Sequence, residues 1–146
     1  MSVLCDSVAR RMRETGVKGK TLSISVRDCN LYSFNRQCRL NEYTNITGEI
    51  TKGAMALFEK SYEWSRPIRS LGVSMSDLTH GDVSYQMDIF SDPNKNTRLE
   101  KLDTAVDGLK KRFGTFAVCP AVMLMDKQLS GFDPINEHII HPVGYF

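Results

Sequence analysis

Lys20-Thr21-Leu22-Ser23-Ile24-Ser25-Val26-Arg27-Asp28 alternates between polar and apolar side chains. Successive side chains of a strand point to opposite faces, so Leu22, Ile24 and Val26 share one face. Thr21, Ser23, Ser25 and Arg27 share the other. This pattern predicts a strand with one buried face. Residues 31–40 read as its hairpin partner across Asp28-Cys29-Asn30, and their poorer alternation leaves room for a bulge. Residues 67–76 read as a third strand with Leu71, Val73 and Met75 inward. Gly72 lies on the opposite face, where a missing side chain lets another backbone approach.

The inward faces of three strands need cover, and helical segments surround them. Residues 3–15 read as a helix with Leu4, Val8 and Met12 on one side and Gly16 as its stop. Residues 48–62 read as a second helix with Thr47 as N-cap and Glu49 at the positive end of its dipole. Ile50, Ala54, Leu57 and Phe58 form its inner face. A turn around His80-Gly81-Asp82 leads to a short alternating segment, Val83 to Phe90. Asp92-Pro93 then starts a third helix, with Leu99, Leu102, Val106, Leu109 and Phe113 as its apolar stripe and Gly114 as its end. The last thirty residues are apolar in patches and then irregular. The expected fold is α+β: an antiparallel sheet of three to four strands with helices on one face, then a C-terminal helix and an irregular tail.

Composition fits this reading. A chain of 146 residues, 41% hydrophobic and 25% charged, is one domain or one domain with a tail. No apolar run approaches a membrane span, and the N-terminus lacks the apolar core of a signal peptide. Cys5, Cys29, Cys38 and Cys119 are scattered, which argues against a zinc site and a disulfide framework and suits reduced thiols in the cytoplasm. His138 and His141 have no third ligand nearby, so no metal site is expected. The net charge of +2 is uneven: residues 1–39 hold eight Lys/Arg against three acids, and the rest hold eleven against fourteen. One basic region able to meet phosphates is implied, against the plainer reading of a solvated helix face. The open sheet face, with Ser23, Ser25, Arg27, Ser70, Ser74 and Arg36, has the hydroxyls and guanidinium groups that bond phosphate oxygens.

Several segments resemble one family. The runs Ser7-Val8-Ala9-Arg10-Arg11-Met12-Arg13 and Gly16-Val17-Lys18-Gly19-Lys20-Thr21-Leu22 are similar to the start of the little-finger domain of Y-family lesion-bypass DNA polymerases of the ImpB/MucB/SamB type. Arg27, Arg36 and Leu40 fit the same pattern. So do Ile68-Arg69-Ser70-Leu71-Gly72-Val73 and Ser76-Asp77-Leu78. Gln86-Met87-Asp88-Ile89-Phe90 resembles the peptide by which bacterial polymerases and repair proteins dock on the replication sliding clamp. The resemblance covers residues 4 to about 125 and implies three parts: a little-finger domain over 1–80 that lacks the family's first strand, a clamp-binding segment over 81–92, and a C-terminal helix and tail over 93–146.

The resemblance implies that the sheet's open face grips primer–template DNA at its backbone, without sequence preference. Arg36, Arg69, Ser70 and Ser74 would contact phosphates, with Arg27 and Lys20 flanking. Strict alternation puts Arg69 on the core side with Leu71, so it must sit at the strand's start or beside a bulge to reach DNA. Ile89 and Phe90 would fill a hydrophobic clamp pocket with Gln86 at its rim; the alternative is an ordinary half-buried edge strand. The magnesium-binding carboxylate patterns of the family's palm, Asp-x-Asp-x-Phe and Ser-x-Asp-Glu, do not occur here. The implied chain is therefore a non-catalytic, cofactor-free piece of a cytoplasmic bacterial polymerase of the SOS response, whose parent would use magnesium. Two other readings stand beside it: a free-standing clamp-binding protein with little DNA contact, and an unrelated α/β interaction domain.

Overall fold

A computed structural model describes residues 1–80, 93–126, 128 and 131–132. In chain order the elements are α1 (Ser2–Glu14), β1 (Val17–Asp28), β2 (Ser33–Thr44), α2 (Thr47–Ser61), β3 (Ile68–His80), α3 (Pro93–Phe113) and a 3₁₀ turn, Ala121–Leu124. The three strands form one antiparallel sheet in the order β2-β1-β3. The α+β arrangement is the one expected, with three strands among the described residues. The expected short strand over 83–90 lies outside them.

The alternation of β1 decides which face is buried. Leu22, Ile24 and Val26 are almost wholly enclosed. Across the sheet they oppose Met75, Val73 and Leu71, and these pack against the same core. From above, α2 lays Ile50, Ala54 and Phe58 on the sheet, spaced four residues apart on one helix face. Its Gly53 leaves room for the sheet to come close: a Cβ there would meet Leu22 Cδ2 at 3.1 Å and Leu40 Cδ2 at 3.2 Å. Tyr62 closes this core, stacked on Phe58 at 5.3 Å. Trp64 meets both rings edge-on but is 75% exposed, so it covers the core from outside.

Two expectations about helix faces need correction. In α1 the enclosed side chains are Cys5, Ala9 and Met12, with Val8 only partly buried, so the inner face is turned from the expected Leu4–Val8–Met12 line. The small thiol of Cys5 and the methyl of Ala9 let the helix approach the sheet. In α3 the apolar stripe only partly coincides with the docked face: Leu99 and Val106 are half-buried. Leu102 and Phe113 are 56% and 62% exposed. The side that meets the body carries Asn96, Glu100, Asp103, Asp107 and Lys110. Asn96 bonds Glu42, Glu100 pairs with Lys18 at 2.6 Å, and Lys110 pairs with Asp6 at 2.7 Å. Arg13 ties Asp103 and Asp107 at 3.1 and 2.6 Å. As α3 advances its partners on α1 move back from Arg13 to Asp6, so the two helices run antiparallel.

The start of α2 shows what this docking does. Ile46 is the N-cap and donates no side-chain cap, and Thr47 is the first helical residue rather than the cap expected. The Thr47 N–H instead donates to Asp103 Oδ2 at 2.7 Å. A carboxylate from another helix thus satisfies a free N–H and meets the positive end of the dipole.

Candidate nucleic-acid interface

The face away from α1 and α2 is built in four rungs, each read across β2, β1 and β3. They are Ser33–Arg27–Ser70, Asn35–Ser25–Gly72, Gln37–Ser23–Ser74 and Arg39–Thr21–Ser76. Small hydroxyls and amides fill the middle, and arginines mark both ends. Nearly all these side chains are exposed. The two central rungs line a shallow depression. Gly72 shapes it, since a Cβ there would lie 2.9 Å from Ser25 Oγ, so a side chain rather than a backbone takes the vacated space.

At one end, Arg27 Nε donates to Ser33 Oγ at 2.8 Å, which holds the guanidinium over the sheet. Arg69 is taken out of alternation. Arg27 opposes Ser70 and Asp28 opposes Ile68, so Arg69 is the extra residue of a bulge, and it is exposed. The adjoining turn is fixed by Asp28, whose Oδ1 accepts from the Asn30 and Tyr32 N–H groups and whose Oδ2 meets Arg66 at 3.2 Å.

At the other end the sheet is irregular in both strands. Gly19 lies against Met12, Met75 and Leu78, on the core side, and Leu22 is on the core side too. Lys20 and Thr21 between them are both turned outward, where the pairing with β2 shifts register. Met75 and Leu78 likewise face the core, which leaves Ser76 and Asp77 outward, Asp77 with φ +55°. Here Lys20 Nζ lies 5.2 Å from the centre of the Tyr43 ring. Tyr43 Oη donates to Asp77 Oδ1 at 3.2 Å, and Arg39 meets Asp77 Oδ2 at 3.6 Å.

The expected site residues therefore separate. Arg27, Ser70 and Ser74 stand on the open face, Arg69 and Lys20 at its irregular ends. Arg36 does not share that face. It opposes Ile24, a core-facing residue, and its guanidinium stacks on Phe34 at 5.2 Å on the helix side of the edge strand. The poor alternation of β2 hid this. Arg39, one rung beyond Gln37 and paired with Thr21, was missed. Counting back from Thr21 across the hairpin would have found it had the turn been placed at Cys29–Tyr32. The basic N-terminal stretch is also partly spent internally, because Arg13 and Lys18 serve α3. Gln86, Met87, Asp88, Ile89 and Phe90 lie outside the described residues.

Fold and face together define an α+β domain that offers one open, cation-ended sheet surface. Residues 1–89 match the model of the impB/mucB/samB family C-terminal domain, and the chain belongs to that family. It is 41% identical over 128 residues to DNA polymerase IV of Acetivibrio thermocellus, covering 88% of this chain and 32% of that protein. It is 36% identical over 126 residues to DNA polymerase IV of Desulfatibacillum aliphaticivorans (86% and 32%), and 36% over 124 residues to DNA polymerase IV 2 of Bacillus subtilis (83% and 29%). The chain thus spans about a third of the length of these curated relatives.

Proposed function

We propose that this chain is the DNA-gripping and clamp-tethering part of a translesion DNA polymerase and carries no catalytic centre of its own. The observation that carries the reading is the open sheet face. It presents cations at both ends and neutral hydrogen-bonding side chains between, on a rigid sheet backed by the core. Thr21 and Arg27 are six residues apart on β1, about 20 Å at ~3.3 Å per residue. That spacing exceeds the ~12 Å width of the major groove, so the two ends suit phosphates on either side of it. Hydroxyls and amides in the middle suit a surface that holds a duplex without reading its bases.

Arg27, Arg69, Ser70, Ser74 and Lys20 make the phosphate contacts in this reading, and Arg39 joins them. Arg36, on the helix side, contributes little. Residues 86–90 tether the polymerase to the sliding clamp, which raises its local concentration at the primer end. The chemistry and its magnesium ions belong to the parent's other domains, in the cytoplasm of a bacterium responding to DNA damage.

Fluorescence anisotropy with a labelled primer–template duplex tests the first half. Affinity should fall as salt rises, with equal affinity for unrelated sequences; binding that ignores salt or prefers one sequence refutes it. Calorimetric titration with a bacterial sliding clamp tests the second, beside a Gln86→Ala, Phe90→Ala double variant. Binding lost in the variant supports the tether, and no binding by the parent chain removes it.

A further inference from the structure

Asp77 stands apart on the open face. Its carboxylate meets the outward Arg39, and it occupies a left-handed conformation near the end of β3. That conformation turns Ser76 and Asp77 outward together and aims the carboxylate at β2. One oxygen accepts from Tyr43 Oη and the other faces Arg39, while Lys20 lies over the same Tyr43 ring. Arg39 is 69% exposed and Asp77 41%, and their 3.6 Å contact is long for an ion pair. An exposed pair of this kind is weak and readily exchanged.

The geometry points to Asp77 as an internal competitor for Arg39: without DNA its carboxylate holds the guanidinium, and a backbone phosphate must take Arg39 from it. This rests on the DNA-gripping reading above and adds a residue that weakens the grip. A phosphate offers Arg39 a shorter, two-pronged partner than Asp77 gives it. The exchange gives up the Arg39–Asp77 pair, so each contact at this end is made at the expense of one already present. Among the described residues the Arg27 end has no such opponent, since Asp28 is buried under the turn and bound by Arg66. One end of the face therefore grips and the other grips and releases, which suits a protein that must step along its template.

The test is a two-by-two set on the full chain: the parent, Asp77→Asn, Arg39→Ala and the double variant. The probe is the labelled primer–template duplex, titrated from about 50 to 200 mM salt. Asparagine tolerates the left-handed conformation and still accepts from Tyr43, so Asp77→Asn should keep the fold, which circular dichroism and the melting temperature verify. Asp77→Asn should tighten binding about threefold, the factor expected when one exposed ion pair no longer has to be given up on binding. Arg39→Ala should weaken binding and flatten the log–log salt slope by about 0.9. In the Arg39→Ala background the gain from Asp77→Asn should shrink toward nothing. A gain undiminished there would mean plain repulsion rather than competition, and would overturn the inference. Unchanged or weaker binding by Asp77→Asn would overturn it as well. The parent's own salt dependence reads the broader DNA proposal separately, and absence of duplex binding by all four proteins would refute both.

Discussion

Replacing Asp103 with alanine should loosen two helices at once, although the residue touches neither the core nor the open face. Its Oδ2 accepts from the Thr47 N–H at 2.7 Å and from Arg13 Nη1 at 3.1 Å. The first contact caps α2, which has no side-chain cap of its own; losing a cap costs about 1 kcal/mol. The second is one of several around Arg13. Its guanidinium keeps Asp107 at 2.6 and 2.9 Å, the Asn45 carbonyl at 2.7 Å and Thr47 Oγ1 at 3.1 Å. The cation is therefore not stranded, and this loss is worth about 1 kcal/mol, as for one hydrogen bond. Together the expected cost is about 2 kcal/mol, or a fall of about 4–8 °C in melting temperature for a domain of this size. Asp103→Asn retains an acceptor for Thr47 and should cost about half as much. Urea denaturation followed by far-ultraviolet circular dichroism gives both values. A loss below about 0.5 kcal/mol for alanine would show that α3 does not hold the start of α2. Equal losses for asparagine and alanine would show that the charge alone matters and the cap does not.

Other expectations follow from single positions. Arg27→Ala should weaken duplex binding and flatten the salt slope by about 0.9, whereas Arg36→Ala should leave the slope unchanged; equal effects in the same anisotropy titration would reverse the assignment of faces. Leu31 is 60% exposed with φ +68°, so Leu31→Asn should raise stability by about 1 kcal/mol, read as a shift in the urea midpoint. Gly16 has the same φ of +68° with nothing near its missing Cβ, so Gly16→Ala should lower stability by about 1 kcal/mol purely through backbone strain. Burial pushes the Cys5 thiol up, partly countered by its bond with Thr51, and burial also pushes Cys38 up. A raised thiol holds less thiolate at any given pH. Timed titration with an aromatic disulfide at mildly alkaline pH should therefore label exposed Cys29 first and Cys5 only on unfolding. The same shift makes the Cys5 contribution to stability full below the ordinary thiol range and lost as pH rises through the raised value.

Most of the fold was legible because its signals are local. The period of two in β1 set the buried face, and Ile50, Ala54 and Phe58 marked α2 by their spacing alone. Gly16 and Pro93 punctuated helix ends where their backbone preferences demand it. Hydrophobic pattern failed at α3. Of the stripe Leu99, Leu102, Val106, Leu109 and Phe113, only Leu99 and Val106 turn toward the body, because charges elsewhere in the chain rotate the helix. Asp6, Arg13 and Lys18 select the polar side of α3, and such pairing across about ninety residues leaves no trace in a local window. Lys110 shows the same gap. It stands in the last turn of α3, where a cation suits the negative end of the dipole, yet it is buried against Asp6.

The candidate interface was least legible at its ends, for a physical reason. A regular antiparallel sheet that is covered on one side sends every second residue under the covering helices. A long cation at such a position is buried at a cost of several kcal/mol unless, like Arg36, it lies on an edge strand beyond the cover of the helices. By strict alternation from Leu71, Arg69 falls on the covered side, and so does Lys20 from Leu22. A bulge at Arg69 and the kink at Lys20–Thr21 release both. The two central rungs thus supply the neutral middle of the face, the outer rungs supply Arg27 and Arg39, and the irregular positions add Arg69 and Lys20. Removing an irregularity should then act on binding through geometry alone. Deleting Arg69, the extra residue, would close the bulge and leave Ser70 to His80 in register with β1, so Leu71, Val73 and Met75 would stay in the core. Without a bulge the same deletion would slip the strand by one position and turn those side chains outward, so a loss of several kcal/mol on deletion would refute the bulge and with it the placement of Arg69.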